Sequence, residues 1–439
     1  MTKGTVFLAT LVLVSGILFC DLGVAATQEL YAGGSEFAGE TISYIGEDGP
    51  LYRYHVEKWI PIFEKRTGIK VNAEIVPAEQ LDVKLVTEFL AETGAYNIFT
   101  WGPHQYGEFA TKGWIEPLAK YFKEDLAPKG YGIEQFLPNI VNTIMCMNGE
   151  IYGLPISVDV KLLAYRTDLF SEAGLTPPET FSQEIRYARK LTNPPTYGVA
   201  IHGKQYDATV WVFYTFLWGC GGEIYDENWN PTFQQEPGVK ALTAYCDLIE
   251  YGPPDILTYD FMKVESCFAS GRAAMAHIWP GSCGSFVNPE TSKVIGKWDA
   301  AQIPHWEGCV SHPGGGGTVY TISSQASPRE KKAAFQLGAF LSSEEVDLDS
   351  VLAMKNASPC CAATFQNSRV KEMHLHFPAM FEALKTFRMP RSIAPQREIN
   401  SVVVLAMQQA AIGEKSPRQA LADAAKKVRK ILEEAAVLK

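Results

Sequence analysis

The sequence predicts an α/β protein built from two lobes. In the first part of the chain, β-prone runs alternate with segments of helical periodicity, which indicates a sheet covered by helices. After Gly149, two further β-prone runs, Ile151 to Pro155 and Val160 to Tyr165, begin a second series of such units. The chain of 439 residues is long enough for about two or three domains of roughly 100–200 residues each. We therefore expect the second lobe to begin near residue 149.

The first strand–helix–strand unit has the clearest pattern. The alternating run Thr41 to Ile45 predicts a strand, which ends at the turn-forming cluster Gly46 to Pro50. Apolar residues at helical spacing follow, and Gly68 closes that helix before the strand Ile69 to Val76. Further helices are predicted at 81–90, 106–112, 183–191 with a capping box at Thr180 and Gln183, 210–218, 238–251 and after Ser416-Pro417, and further strands at 97–101 and 318–323.

The first 26 residues have the three parts of a secretory signal peptide. Lys3 supplies the charged start, Val6 to Phe19 the apolar run, and Val24-Ala25-Ala26 a small-residue cleavage site. As a helix the apolar run would be about 21 Å long, against roughly 30 Å of membrane hydrocarbon. We therefore expect an exported, periplasmic protein with a cleaved signal peptide. Cys20 leaves a lipid anchor open, although a bulky phenylalanine precedes it.

Charge and cysteine spacing exclude two classes of function. The net charge of -10 argues against a nucleic-acid partner, since phosphate binding needs a basic surface. Eight cysteines remain after cleavage, and their pairing cannot be read from eight positions with about 105 possible connectivities. The chain has no Cys-x-x-Cys pair, and Cys360 and Cys361 are adjacent, so we expect no metal site.

The chain has none of the common catalytic motifs that we searched for. There is no Gly-x-Ser-x-Gly elbow, no His-Glu-x-x-His pair and no phosphate-binding P-loop after the glycine run. A pair of carboxylates for glycoside hydrolysis stays open, because their separation depends on the fold. We expect a non-enzymatic protein without a cofactor.

Aromatic residues, 12% of the chain, indicate a carbohydrate pocket. Flat rings stack on the C–H faces of sugars, while fixed polar groups bind the hydroxyls. Trp101 ends a predicted strand beside polar residues, and Trp279 follows an apolar run. Trp211 and Tyr214 lie on one face of a predicted helix, together with Trp218. Each of these rings is either a stacking surface or a core residue.

Polar candidates lie at the ends of predicted strands. Glu47 and Asp48 follow the first strand, where ligands bind in open α/β sheets. Asp159 separates two apolar runs and is either an acceptor for ligand hydroxyls or a solvated turn residue. Gly315 and Gly316 belong to a run of four glycines that allows either close approach of a ligand or a mobile loop.

Several segments, in this order, resemble family 1 of the extracellular solute-binding proteins, the group that includes maltose-binding protein. The resemblance runs from about Thr41 to Leu432. It is carried by Phe63 to Val71 (FEKRTGIKV), Asn97 to Trp101 (NIFTW), Gly113 to Leu118 (GWIEPL), Gly149 to Pro155 (GEIYGLP), Tyr165 to Phe170 (YRTDLF), Ala173 to Leu175 (AGL) and Phe268 to Met275 (FASGRAAM).

The resemblance implies a type II-like periplasmic-binding-protein fold, with a hinge and a ligand cleft between two α/β lobes. It implies the lobe order 38–148 (first lobe), 149–300 (second lobe), 301–345 (return through the first lobe) and 346–439 (helices of the second lobe). The site residues that it implies are the stacking rings Trp101, Trp211 and Trp279, the polar groups His104 and Gln105, the carboxylate Asp159 and the guanidinium of Arg391.

One departure from the family pattern bears on the ligand. The late stacking tryptophan of maltodextrin binders would fall near Asn400 or Ser401, so long maltodextrins are disfavoured. The resemblance implies a monomeric component of an ABC importer that delivers a mono- or disaccharide, polyol or glycoside to transmembrane permease subunits. A binder of a charged solute such as a sugar acid, phosphate ester or polyamine, a secreted carbohydrate-active enzyme and a surface adhesin stay open as alternatives.

Overall fold

The computed structural model describes residues 36–102, 106–124, 126–354, 357–391, 393 and 395–438, apart from the side chains of Glu79 and Asp207. The predicted signal peptide with Cys20, and the candidate site residues His104 and Gln105, lie outside the described residues.

Strands occur in both halves of the described chain. They are β1 (Thr41–Glu47), β2 (Lys70–Val76), β3 (Ile98–Trp101), β4 (Cys146–Met147), β5 (Glu150–Ile151), β6 (Gly153–Val160), β7 (Leu162–Arg166), β8 (Tyr197–Ala200), β9 (Ala273–Ile278), β10 (Trp298–Gln302) and β11 (Gly315–Ile322).

Helices cover the sheets that these strands form. They are α1 (Pro50–Tyr54), α2 (Ile60–Thr67), α3 (Ala78–Ala91), α4 (Tyr106–Thr111), α5 (Ala119–Lys123), α6 (Pro138–Ile140), α7 (Thr167–Ala173), α8 (Phe181–Leu191), α9 (Val210–Gly219), α10 (Glu236–Ile249), α11 (Phe261–Ala269), α12 (Cys283–Phe286), α13 (Pro328–Leu341), α14 (Glu344–Ala353), α15 (Ala362–Gln366), α16 (Ser368–Met373), α17 (Phe377–Leu384), α18 (Gln396–Ala411) and α19 (Pro417–Glu434). A π-helical turn, His55–Trp59, joins α1 to α2.

The predicted helix ends have the expected capping chemistry. Gly68 follows α2 in the left-handed conformation with φ 76°, which glycine adopts without the steric cost of a Cβ. Thr180 and Gln183 form a complete capping box at α8. The Ser416 side chain accepts from the backbone N–H of Gln419, with proline in the first turn of α19.

The first sheet has the strand order β2-β1-β3-β11-β6. β1 pairs in parallel with β2 and β3, whereas β11 runs antiparallel to both β3 and β6. Helix α13 packs on this sheet. Its core includes aromatic residues such as Phe63 and Phe340, whose ring centroids are 5.6 Å apart. We call this sheet and its helices the first lobe.

The second sheet has the order β10-β7-β9-β8. β8 and β9 are parallel, and β7 is antiparallel to both β9 and β10. Helices α8 and α11 pack on it, and α9, α18 and α19 pack on α10. These elements form the second lobe, so the prediction of a two-lobed α/β fold is confirmed.

The chain passes between the two sheets beside Lys161. β6 ends at Val160 in the first sheet, and β7 begins at Leu162 in the second. The chain therefore changes sheet at Lys161 and not at residue 149, because β6 still pairs with β11 of the first sheet. It returns between β10 and β11, and the backbone N–H of Lys161 donates to the carbonyl of Gly314 on that returning segment at 2.8 Å. The two crossing segments are thus hydrogen-bonded to each other.

Candidate functional site

The carboxyl ends of the main strands of both sheets meet at this crossing. β1 and β3 end at Glu47 and Trp101, and β6, which runs parallel to β3, ends at Val160. In the second sheet β8 and β9 end at Ala200 and Ile278, on the edge where β7 begins. Ligands of open α/β sheets bind outside the carboxyl ends of their strands. The space between the lobes at the crossing is therefore the candidate site.

A cavity of about 500 Å³ lies between the lobes at this edge. Glu47, Trp101 and Thr318 line it from the first sheet, and Asp82 from helix α3. Arg397 of helix α18 lines it from the second lobe. The volume lies within the range of about 300–1,000 Å³ that is typical of small-molecule sites.

Trp101 belongs to both the first-lobe core and this cavity. Its side chain is only 3% exposed, and its ring stacks on Phe109 with centroids 4.3 Å apart. The buried indole N–H has no hydrogen-bond partner among the described residues. Trp101 is therefore a core residue that also borders the cavity.

Glu47 and Asp48 have different surroundings. Glu47 lines the cavity, and its backbone N–H donates to Thr100 Oγ1 at 2.9 Å. Asp48 lies outside the lining and pairs with Arg53 at 2.6 Å. The hydrogen bond from Arg53 lowers the pKa of Asp48. The structure thus places Glu47 in the cavity and Asp48 in a surface ion pair.

Asp159 lines a smaller cavity of about 150 Å³ near the first crossing. Its carboxylate accepts a hydrogen bond of 2.6 Å from Ser358 Oγ. Burial raises the pKa of Asp159, while the bond from Ser358 acts in the opposite direction. Tyr52 lines the same cavity, and its hydroxyl donates to Thr318 Oγ1 at 2.9 Å. Because Thr318 lines the larger cavity, this bond links the two cavities.

The glycine run forms the start of β11 and is not a loop. Gly315 pairs with Val160 and Gly316 with Asp159 in the ladder between β11 and β6. A Cβ at Gly315 would lie 2.4 Å from the Phe387 ring, so that position requires glycine. A Cβ at Gly316 would meet nothing within 4 Å, so the backbone there borders open space.

Trp211 and Trp279 come together on the second-lobe side of the crossing. Their ring centroids are 6.0 Å apart with an interplanar angle of 78°, and both side chains are half-buried. A Cβ at Gly314 would lie 2.9 Å from Trp211, so the returning segment approaches this ring closely. The ammonium of Lys161 lies 4.4 Å from the centroid of Trp279. We call Lys161, Trp211 and Trp279 the crossing cluster.

Tyr214 and Arg391 lie away from these residues. Tyr214 is fully buried, and its hydroxyl donates to Asn400 Oδ1 at 2.9 Å, so it packs inside the second lobe. Arg391 stacks on Trp229 with its guanidinium carbon 3.8 Å from the ring centroid and donates to the backbone carbonyl of Asp226. It lines a separate groove of about 1,070 Å³.

A buried cluster of potential metal-binding groups consists of Asp347, Cys360 and Cys361. A carboxylate oxygen of Asp347 and the two thiol sulfurs lie within 4.8 Å of one another. The carboxylate of Asp347 accepts from the backbone N–H groups of Cys360 and Cys361 and from the hydroxyl of Thr364. Burial raises the pKa of this carboxyl. These hydrogen bonds hold the segment before α15 in place. The eight cysteines among the described residues are all free thiols.

The sequence of residues 43–347 matches the family model of the bacterial extracellular solute-binding proteins. This chain belongs to that family. The resemblance inferred from its motifs is thereby confirmed.

Among relatives, this binding protein is 28% identical over 240 residues to the mannitol-binding protein of Pseudomonas aeruginosa, with 53% of each chain covered. The match thus spans about half the length of that relative.

Two solved structures have the same fold as this binding protein. A solute-binding protein of Agrobacterium radiobacter K84 in complex with ribitol is 25% identical, with a TM-score of 0.74 and coverage of 90% of this chain and 99% of the other. Maltose-bound MalE3 of T. maritima is 25% identical, with a TM-score of 0.73 and coverage of 89% and 100%. Both the family and these relatives consist of binding proteins.

The family is extracellular. Among the described residues, no helix combines the length and the apolar character that crossing a membrane requires.

Sequence reasoning missed several polar residues of the crossing and of the two cavities beside it. Lys161, Tyr52 and Thr318 were not selected, because their positions relative to the cleft depend on the pairing of distant strands. Arg397 and Ser358 come from late segments that approach the first-lobe strands only in the folded chain. In the sequence, the charged residues Asp159 and Lys161 on either side of Val160 interrupt an apolar run, and this pattern could have indicated a polar site there.

Proposed function

We propose that this chain is the substrate-binding component of an ABC importer that captures a small polyhydroxylated ligand between its lobes. The candidate ligands are a mono- or disaccharide, a polyol or a glycoside. One observation carries the proposal. The carboxyl ends of the strands of both sheets meet where the chain crosses at Lys161, and aromatic rings lie on both sides of this crossing. A relative named for mannitol and a solved structure in complex with ribitol support this class of ligand.

The proposed contacts divide between the lobes. Glu47 and Asp159 accept hydrogen bonds from ligand hydroxyls, since a carboxylate offers only acceptors. Trp101 contributes the edge of its ring from the first lobe, and Trp211 and Trp279 contribute their rings from the second. Gly315 and Gly316 place the β11 backbone close to the ligand. Asn400 stands where maltodextrin binders have a late stacking tryptophan, and its side chain is buried and accepts a hydrogen bond from Tyr214. The absence of a stacking ring at this position supports a short ligand.

Delivery requires the lobes to close on the ligand and open again at the permease. The proposed hinge comprises the crossing at Lys161 and the return between β10 and β11, because these short segments join the two sheets. We propose an exported monomer that leaves its ligand chemically unchanged. The proposed lobe boundaries are those implied by the family pattern, with the first crossing moved to Lys161.

A thermal-shift screen of small sugars and polyols on the mature protein tests the proposal. A ligand at about 100 times its dissociation constant stabilises the folded state by about 2.7 kcal/mol. We expect at least one polyol or sugar to raise the melting temperature, to be recovered unchanged by mass spectrometry, and to reduce the radius of gyration in X-ray scattering. Turnover of the bound ligand would identify an enzyme instead. Affinity restricted to insoluble glycan would identify an adhesin.

A further inference from the structure

Lys161 occupies an unusual position for a lysine. It is the single residue between β6 and β7, and its side chain is only 1% exposed. Its ammonium nitrogen is buried and has no hydrogen-bond partner among the residues that the structure describes. A lysine ammonium has three donors and no acceptor, and buried charges are normally paired. The residue therefore has an unused capacity to bind an acceptor.

The strand register places Lys161 beside Trp279 at the crossing between the two sheets. Leu162 of β7 pairs with Ile278 of β9, so Lys161 and Trp279 are the next pair beyond the ladder. Both lie at the carboxyl edge of the second sheet, and the ammonium lies 4.4 Å from the ring centroid. Trp211 borders Trp279, and we call these two half-buried rings the aromatic wall.

Among the residues that the structure describes, the charged groups around Lys161 do not supply a bonded counter-ion. Asp159, two residues earlier on β6, bonds to Ser358. His202, just after β8, is buried, and the charge of Lys161 contributes to lowering its pKa. On β9, His277 lies 2.6 Å from Glu184 of α8, which therefore already has a partner. Burial without a partner lowers the pKa of Lys161 to about 7.

We propose that Lys161 and Trp279 recognise a carboxylate, and that the ligand is a sugar acid or another polyhydroxylated carboxylate. This inference rests on the proposed function and narrows its ligand class. The carboxylate pairs with the ammonium, which removes the cost of an uncompensated buried charge. The hydroxylated part of the ligand contacts the aromatic wall, Glu47 and Asp159. A neutral polyol offers hydroxyl acceptors but no counter-charge.

Matched pairs of acid and alcohol test the ligand class by isothermal titration calorimetry. The probes are D-gluconate against D-glucitol and D-galacturonate against D-galactose. We expect the acid of at least one pair to bind about tenfold to hundredfold more tightly than its neutral partner, as for a charge-assisted hydrogen bond. A neutral member that binds as tightly as its acid, or more tightly, overturns the sugar-acid inference and leaves the proposed function standing. If none of the four binds while another neutral sugar or polyol raises the melting temperature in the thermal-shift screen, the sugar-acid inference is again overturned and the proposed function stands.

Two variants separate recognition by Lys161 from a purely structural role. Lys161→Met should abolish the preference for the acid and change the affinity for the neutral partner less than about threefold. Lys240→Met is the matched control, because Lys240 lies 5.1 Å from the Trp306 ring centroid elsewhere in the second lobe. Lys161→Arg, which keeps the charge, should retain the preference. If Lys161→Met lost equal affinity for the acid and for the alcohol, the role of Lys161 would be structural only.

Proton uptake gives a test on the wild-type protein that does not depend on a variant folding. At pH 8 the free amine is largely neutral, and a bound carboxylate favours its protonated form. Binding of the acid should then take up a proton, detected as different apparent enthalpies in phosphate and Tris buffers. At pH 5.5 the amine is already charged, and the uptake should vanish. An acid that binds with no proton uptake at pH 8 overturns the role of Lys161.

Discussion

The guanidinium of Arg397 lies 3.2 Å from the carboxylate of Asp82, so an ion pair joins helix α18 of the second lobe to helix α3 of the first. Both side chains line the cavity between the lobes. The Arg397 side chain is 79% exposed, so the attraction is largely screened by solvent. The contact is therefore suited to adjusting the balance between open and closed lobes rather than to fixing it.

Arg397→Ala should weaken ligand binding by about twofold to fivefold, because an exposed pair contributes about 0.2–1 kcal/mol. The loss should shrink at high salt, where the wild-type pair is already screened. Calorimetric affinities at low and high salt measure both effects. Arg418→Ala, which removes an exposed pair with Glu236 inside the second lobe, serves as the control and should leave affinity unchanged. A tenfold or larger loss in Arg397→Ala would mean direct contact with the ligand.

Trp211→Ala should weaken binding by one or two orders of magnitude, or about 1.4–2.8 kcal/mol, because it removes a half-buried ring from the crossing cluster. Trp306→Ala removes another half-buried ring of the second lobe, away from the cluster, and should preserve affinity. The comparison is made by calorimetry after circular dichroism has verified folding. Equal affinity in the two variants would contradict a ligand contact for Trp211.

Trp101 needs a different experiment, because the ring is buried against Phe109. Trp101→Ala should lower the free energy of unfolding by about 3–5 kcal/mol, the usual cost of removing a large core ring. Urea denaturation measures this loss. A loss below about 1 kcal/mol would contradict a role of this ring in core packing. Its role would then be limited to lining the cavity. Binding data on this variant are interpretable only where the protein remains folded.

Local sequence patterns predicted the elements of the fold well. The alternating run at the start of β1, the closing glycine of α2 and the capping box of α8 each act over a few residues, so their physics is contained in the local sequence. The change of sheet at Lys161 could not be located in the same way. It depends on which distant strands pair, and β6 pairs with β11 more than 150 residues later in the chain.

The candidate site was predictable only where strand ends carry its residues. Glu47 and Trp101 were selected because they lie at the ends of predicted strands, and the structure places both in the lining of the cavity. Tyr214 was selected from helical spacing shared with Trp211, yet only Trp211 reaches the crossing, since α9 is buried almost all round. Lys161 escaped selection because its burial and its missing partner arise from tertiary packing.

Asp347→Ala should destabilise the protein by at least about 2 kcal/mol. The substitution leaves the buried N–H groups of Cys360 and Cys361 and the hydroxyl of Thr364 without their acceptor. Urea denaturation followed by tryptophan fluorescence measures the loss. Asp423→Ala, which removes a half-buried carboxylate at the surface paired with Lys415, is the control and should cost less than about 1 kcal/mol. Matching losses would show that Asp347 does not anchor this segment.

Asp159→Asn should weaken the binding of a neutral polyol by about tenfold or more at pH 7, because a charged acceptor forms hydrogen bonds worth roughly 1.5–3 kcal/mol with hydroxyls. The same substitution should not lower the stability of the protein. Burial raises the pKa of Asp159 in the folded state, so the folded protein holds this proton more tightly than the unfolded chain. Ionised Asp159 therefore lowers stability, and the variant should be no less stable than wild type at pH 7.

A pH series on both proteins separates these two effects. Between the ordinary carboxyl pKa of 3.8 and the raised pKa of folded Asp159, wild type should lose stability relative to the variant as pH rises. Over the titration of the bound carboxyl, wild-type affinity for the neutral polyol should fall on acidification, while that of Asp159→Asn stays level. Thermal unfolding and calorimetry at matched pH values measure the two trends. Equal affinity of both proteins at every pH would show that Asp159 only holds Ser358 in place and does not contact the ligand.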